Sequence, residues 1–155
     1  MSKPQDPNPK SQGIALSTIG YVRRDECDEG LKGLELRARP ARVVLNPAVT
    51  DGLLGLVPGD DVIVLCYFHK AERDVLQVHP MGDMEAPLRG VFATRSPARP
   101  NPIAVTSARI ELIEENVLHV VGLDALDGTP VVDVKSYAEA FDTPYGAPTQ
   151  DIAGH

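Results

Sequence analysis

The sequence predicts an all-β protein, a small single-domain β-barrel of short strands with few helical turns. Three observations carry that expectation. About eight short apolar or alternating stretches recur along the chain, each closed by glycine, proline, asparagine or aspartate, the residues that end strands and build turns. No alternation of strand and helix periods appears. Neither GIALSTIG nor GLLGLVPG places a G-x-G turn between a strand and a helix, which argues against a doubly wound nucleotide-binding sheet. Finally, residues 62–68 (VIVLCYF) are apolar throughout, as in a strand buried on both faces or lining a barrel. Closure of a barrel also removes exposed strand edges.

Composition bounds the domain. A chain of 155 residues, 43% of them hydrophobic, sustains one ordinary core. We expect a disordered polar leader over residues 1–13 (MSKPQDPNPKSQG), a folded domain over 14–142 and a tail over 143–155. The leader lacks the apolar segment of a secretory signal, and no run of 18 apolar residues exists, so no membrane association and a cytoplasmic location are expected. Cys27 and Cys66 give neither metal spacing nor a disulfide framework, and Cys66 reads as a buried thiol. No metal is expected. The net charge of −7 opposes non-specific binding to nucleic acid, and its distribution is uneven. Residues 111–155 carry −8, whereas residues 89–109 hold four arginines and no acid. That permits a local basic patch but not a broad basic face.

In chain order, residues 14–22 (IALSTIGYV) read as the first strand, and residues 23–39 as a charged loop containing glycine. Residues 41–46 (ARVVLN) read as the second strand, closed by Asn46 and Pro47. Thr50 or Asp51 is expected to cap a single helical turn over 52–56. A turn at 57–60 precedes the apolar run, which ends at His69. Residues 74–79 (DVLQVH) alternate as a further strand, and 81–88 form a loop. Val91, Phe92 and Ala93 read as a short strand, residues 103–110 as the next, and 117–123 as its hairpin partner. Asp127 and Gly128 mark a turn before a short strand at Val131, Val132 and Val134. His79 and His119 are assigned no functional role.

The densest motif is residues 90–103, GVFATRSPARPNPI. Pro97, Pro100 and Pro102 fix φ and remove donors, so this segment is neither helix nor central strand. A loop so stiff holds Arg95 and Arg99 in place at little further entropic cost. Taken alone it reads first as a rigid surface turn with solvated arginines. Its wording resembles the signature of the TrmO family, also called TsaA-like or VirR-like: GVFATRSP-x-RPNPIG, an aliphatic residue and Ser. Ala104, Val105 and Thr106 stand where relatives carry Gly, Leu and Ser.

The resemblance implies a TsaA-like β-barrel that binds S-adenosylmethionine, works as a homodimer and methylates N6 of a threonylcarbamoyl-modified adenosine beside the tRNA anticodon. Many bacterial relatives continue into a second domain associated with tRNA engagement, and this sequence stops before it. Within the same resemblance, His69 and Lys70, Arg95 and Val105 are implied to bind the cofactor. Asp127, Gly128, Thr129 and Pro130 join them through LDGTPVVDVKSY, which is similar to the family's LDGTP, an aliphatic pair and D-I-K-P-Y. In that stretch Asp133, Lys135 and Tyr137 are implied to face the site, and they are the candidates for orienting the target amine. Ser136 replaces the usual Pro. Arg99 and Asn101 are candidates for substrate binding. Relatives also carry a Pro-Arg-Gln triplet in the first charged loop. This chain lacks it, and no counterpart is assigned within residues 28–37.

Methyl transfer from a sulfonium requires alignment and exclusion of water, with no metal and no protein nucleophile. A chain with no metal cluster and no nucleophile–base pair suits it. On this reading Arg95 binds the methionine carboxylate and Asp127 accepts from ribose or adenine. Two other readings fit the same residues: methyl transfer to a small molecule, and a non-catalytic S-adenosylmethionine-binding module.

Overall fold

The computed structural model describes residues 13–147 of the 155-residue chain. Residues 1–12 of the expected leader and 148–155 of the expected tail lie outside the described residues. Eight strands are present: β1 (Gly20–Arg23), β2 (Pro40–Leu45), β3 (Asp61–Tyr67), β4 (Gln77–Val78), β5 (Arg89–Gly90), β6 (Ile103–Glu114), β7 (Val117–Val121) and β8 (Pro130–Ser136). Six of them close a barrel in the order β1-β2-β7-β6-β3-β8, while β4 and β5 pair separately. Every pairing is antiparallel. The helices are short, α1 (Gly33–Arg37) and α2 (Glu139–Asp142), with a few 3-10 turns. The protein is thus the mainly-β barrel that the sequence predicts.

The apolar run resolves in favour of the barrel-lining alternative. Along β3 burial alternates: Val62, Val64 and Cys66 point inward, and Ile63, Leu65 and Tyr67 are half-buried on the outside. They meet Val22, Val43, Leu45, Ala108, Ile110, Leu118, Val120 and Val131 from the other strands in one core cluster. Each fully buried Val or Leu stabilises the fold by about 1.5–3 kcal/mol. The interior is filled by side chains, as expected for a barrel of few strands. Gly20 is where β1 and β2 come closest, because a Cβ there would strike the Val44 carbonyl oxygen and lie 2.9 Å from Leu45 Cα.

Six local expectations are corrected. Strand β1 begins at Gly20, not at residue 14. Its partner β2 ends at Leu45, and Pro47 turns the chain away, so residues 14–18 have no strand to pair with and stay exposed. The turn after β2 is a 3-10 helix over Pro47–Leu53, not a turn over 52–56. Asn46, rather than Thr50 or Asp51, caps it: its side-chain oxygen accepts from the Ala48 N–H at 3.0 Å. Val91–Ala93 is a 3-10 turn, not a strand. Only Gln77–Val78 of residues 74–79 pairs. Conversely β6 runs to Glu114, four residues beyond the expected strand, because β7 folds back on it from Val117.

One consequence of the antiparallel order positions the site. Strands β1, β3 and β7 end, and β2, β6 and β8 begin, at the same rim of the barrel. Loops 24–39, 68–102 and 122–129 therefore all emerge together.

Candidate cofactor site

The loop between β7 and β8 is built on a tight turn. Thr129 N–H donates to the Leu126 carbonyl at 3.2 Å and Gly128 takes φ +81°, a conformation that strains any side chain and that a type II turn demands at this position. The turn is bolted to β1. Gly128 N–H donates to the Val22 carbonyl at 2.8 Å, Val22 N–H to the Thr129 carbonyl at 2.9 Å, and Arg24 N–H to Asp127 Oδ1 at 2.9 Å.

Arg24 holds the rest of this wall. Its buried guanidinium donates from Nε to the Ala125 carbonyl (2.6 Å), from Nη1 to the Leu36 carbonyl (3.3 Å) and from Nη2 to the Leu123 carbonyl. Burial pushes its pKa below the ordinary value, and the carboxylates of Asp28, Asp124 and Asp127 oppose that shift. A reciprocal pair of bonds ties α1 to the same loop: Arg37 Nε donates to the Gly122 carbonyl (2.7 Å), and Gly122 N–H to the Arg37 carbonyl (2.9 Å). The buried Asp28 pairs with Arg39 Nε at 3.1 Å and fixes the stretch leading into α1.

The proline-rich loop is a clamp closed on itself. Arg99 donates to the carbonyls of Ser96 (2.7 Å), Val91 (2.8 Å) and Thr94 (2.6 Å). Thr94 Oγ1 accepts from Ser96 N–H at 3.2 Å and donates to the Val91 carbonyl at 3.0 Å. Outside it, Arg73 donates to the Pro100 carbonyl and to Asn101 Oδ1. Arg95 is exposed, and none of the side-chain bonds or ion pairs among the described residues engages its guanidinium. His69 and Lys70 occupy the middle of a turn at the end of β3, closed by Ala71 N–H to the Phe68 carbonyl at 2.9 Å.

These loops enclose a cavity of about 550 Å³. Leu31, Leu36, Tyr67, Phe68 and Leu126 give it apolar walls, and Lys32, His69, Lys70, Arg95, Asp124 and Asp127 give it polar corners. Its size falls within the roughly 300–1,000 Å³ of small-molecule sites. A second, larger groove of about 830 Å³ starts from the same loops and follows β6 to Tyr137 and Asp142. Phe68, Arg95, Pro97 and Asp124 border both.

The residues singled out from the sequence distribute as follows. His69, Lys70, Arg95, Asp127, Gly128 and Thr129 meet in the first cavity. Pro130 is buried and pairs with Tyr21 in the barrel wall. Val105 and Tyr137 border the second groove, as does Arg99, whose donors are spent within its own loop. Asn101 is exposed beside Arg73. Asp133 borders a separate hollow beside the Pro47–Leu53 turn and pairs with Lys135 Nζ at 2.7 Å. The structure therefore does not bring Asp133 or Lys135 to the cavity. His79 Nδ1 lies 2.9 Å from the Ala86 carbonyl, and His119 Nε2 lies 3.1 Å from Glu114 Oε2.

Sequence reading missed Leu31, Lys32, Gly33, Leu36, Phe68 and Asp124. The first four lie in the very stretch for which no counterpart of the Pro-Arg-Gln triplet was assigned. The loop's leucines, Leu31, Leu34 and Leu36, do not mark the site by themselves, because Leu34 is exposed and only the other two line the cavity. Among the described residues no group of three or more His, Cys, Asp or Glu is placed to hold a metal, and no helix is long and apolar enough to cross a membrane.

Comparison with known proteins agrees with this geometry. Residues 25–143 match the family model of the tRNA-methyltransferase O N-terminal domain. The chain is 36% identical over 139 residues to a probable S-adenosyl-L-methionine-binding protein of Pyrococcus horikoshii, covering 87% of this chain and 90% of that one. A protein of the same description from Methanocaldococcus jannaschii is 47% identical over 98 residues, covering 61% and 78%. Among solved structures, TrmO from Pseudomonas aeruginosa superimposes with a TM-score of 0.65 at 31% identity over 92% of this chain. The chain spans 64% of that protein's length. The barrel, its rim loops and the matched residues together place the chain in the tRNA-methyltransferase O N-terminal domain family.

Proposed function

We propose that the protein is an S-adenosyl-L-methionine-dependent methyltransferase whose acceptor is N6 of a threonylcarbamoyl-modified adenosine next to the tRNA anticodon. The observation that carries the reading is Arg95, unengaged and held on a rigid loop over an apolar cavity whose far wall presents Asp127. The donor set suits the cofactor. A guanidinium with free donors takes a carboxylate in bidentate fashion. Leu31, Leu36 and Leu126 offer apolar surface to a purine, and the free oxygen of Asp127 accepts from hydroxyl or amino groups. The cofactor supplies an electrophilic methyl group. The residues of the chain supply orientation and exclude water.

The relatives' names support the cofactor more directly than the acceptor. The −8 charge of residues 111–155 favours a second reading, methyl transfer to a small molecule. The homodimer that the family resemblance implies is supported by exposed Phe92, Ile103 and Val105, which a second copy would cover. Sedimentation of the purified chain tests it, and a monomer at all concentrations refutes it.

The deciding experiment is calorimetric titration with S-adenosylmethionine and S-adenosylhomocysteine, followed by incubation with labelled cofactor and tRNA lacking the methyl group. Micromolar binding, about −8 kcal/mol, with label in the modified adenosine is the expected result. Absence of binding to either ligand overturns the cofactor reading. Binding without label in tRNA, but with label in a small molecule, overturns the tRNA reading alone.

A further inference from the structure

A methyl group that passes from a ligand in the first cavity to one in the second groove crosses the boundary formed by Phe68, Arg95, Pro97 and Asp124, which border both. Phe68 and Pro97 have no group that takes a proton, and Arg95 is a permanent donor. Asp124 alone of the four can accept one.

Each of the other carboxylates of the two spaces already has one oxygen committed to a backbone N–H. Asp127 Oδ1 accepts from Arg24 N–H at 2.9 Å, and Asp142 Oδ2 from Ala138 N–H at 2.6 Å. None of the ion pairs among the described residues uses Asp124, and its side chain is exposed. Its backbone is nevertheless fixed. Leu123 and Ala125 on either side are buried, and Arg24 grips both of their carbonyls. A free carboxylate on an immobile base, at the one place where two cavities meet, is the arrangement that orients an incoming N–H group.

We propose that Asp124 is a catalytic residue: its carboxylate accepts the hydrogen bond of the acceptor N–H and takes that proton as the methyl group is transferred. The proposal rests on the methyl-transfer reading above. The bookkeeping of atoms is simple. The nitrogen lone pair forms the N–C bond, the C–S pair returns to sulfur and gives a neutral thioether, and the N–H electrons stay on nitrogen as its proton moves to Asp124. The acceptor leaves neutral, and the carboxylic acid returns its proton to solvent. The acceptor class is a planar base bearing an N–H, with Phe68 and Tyr137 along the groove to stack on it.

The test compares Asp124→Asn, Asp124→Ala and Asp124→Glu in the full chain with the unsubstituted protein. Three readouts are used: calorimetric affinity for S-adenosylhomocysteine, affinity of the S-adenosylhomocysteine-loaded protein for threonylcarbamoyl-adenosine, and single-turnover transfer to unmethylated tRNA. The expected result is cofactor affinity within threefold for all variants. Acceptor affinity falls at least tenfold in Asp124→Ala. Transfer falls about 100-fold or more in Asp124→Asn, the usual range for loss of a general base, with partial recovery in Asp124→Glu. Transfer by Asp124→Asn at the unsubstituted rate overturns the proposal. So does a parallel loss of cofactor affinity, which makes Asp124 a cofactor ligand instead. If the unsubstituted protein binds the cofactor but methylates nothing, the methyl-transfer reading fails first and takes this proposal with it.

Discussion

Arg24 Nε donates to the carbonyl of Ala125 at 2.6 Å, across 101 residues of sequence and inside the wall of the first cavity. The same guanidinium reaches the carbonyls of Leu36 and Leu123, so one side chain holds α1, the β7–β8 loop and β1 together. Arg24→Met keeps much of the volume but strands three buried acceptors and leaves Arg39 as the one cation paired with Asp28 among the described residues. The expected cost is about 3 kcal/mol, or a fall in Tm of about 10 °C for a chain of this size. Arg24→Lys should recover less than half, because an ammonium does not present the fork that spans three carbonyls. Thermal melts of both variants check this, and an unchanged melt for Arg24→Met refutes it.

Two arginines four residues apart should behave in opposite ways. Arg95 has no partner among the described residues and borders both cavities, so Arg95→Ala leaves the melting temperature within about 2 °C. On the proposed cofactor placement its loss removes a charge-assisted contact to the methionine carboxylate, and affinity should fall about 30-fold. Arg99 instead closes three bonds to its own loop. Arg99→Ala should release residues 91–101 to proteolysis at a cost of about 1–2 kcal/mol, with cofactor affinity falling only as the loop loosens. Limited proteolysis and calorimetry of both variants separate the two roles. Equal protease sensitivity would remove the distinction.

That contrast also shows how far the sequence reaches. The barrel was legible because strand length, turn residues and the apolar run 62–68 are local properties. The six cavity residues found in advance sit in motifs that fold as short turns: His69 and Lys70 at a strand end, Asp127, Gly128 and Thr129 in a type II turn, Arg95 in a proline-stiffened loop. Leu31 and Leu36 were not legible, because what brings them to the cavity is distant: the Arg24 bond to Leu36 and the Arg37–Gly122 pair, 85 residues apart. Asp133 and Lys135 lie apart from the cavity for the opposite reason. Their motif is contiguous with Asp127, but in an extended strand the positions that follow a rim loop march away from it at about 3.3 Å per residue.

Gly20 is indispensable for space, not for conformation. A Cβ there would meet the Val44 carbonyl oxygen, with Leu45 Cα at 2.9 Å, both of them backbone atoms of the paired strand. Gly20→Ala must push β1 from β2 and should cost about 2 kcal/mol, read as a fall in Tm of about 5 °C. Gly52→Ala is the control, since nothing lies within 4 Å of its built Cβ. Equal melts for the two variants would show that the β1–β2 contact relaxes freely.

Cys66 gives the barrel an alkaline limit. Burial on β3 pushes its thiol up to about 11 from an ordinary value of 9.0, because the thiolate is poorly solvated inside the core. The folded state therefore holds this proton more tightly than the unfolded state does. Its stabilising contribution is complete below about pH 9 and is lost as pH rises through about 11. Across that window the loss amounts to about 2–3 kcal/mol. Other groups titrate there too, so the measurement is the difference in denaturant stability between the unsubstituted protein and Cys66→Ala from pH 8 to pH 11. The Cys66→Ala protein should start lower, since a packed side chain is gone, and then lose less as pH rises. Alkylation at pH 8 supplies the second readout: the exposed Cys27 reacts while Cys66 is protected in the folded chain. Parallel stability curves, or equal alkylation of both thiols, would place Cys66 in contact with water rather than in the core.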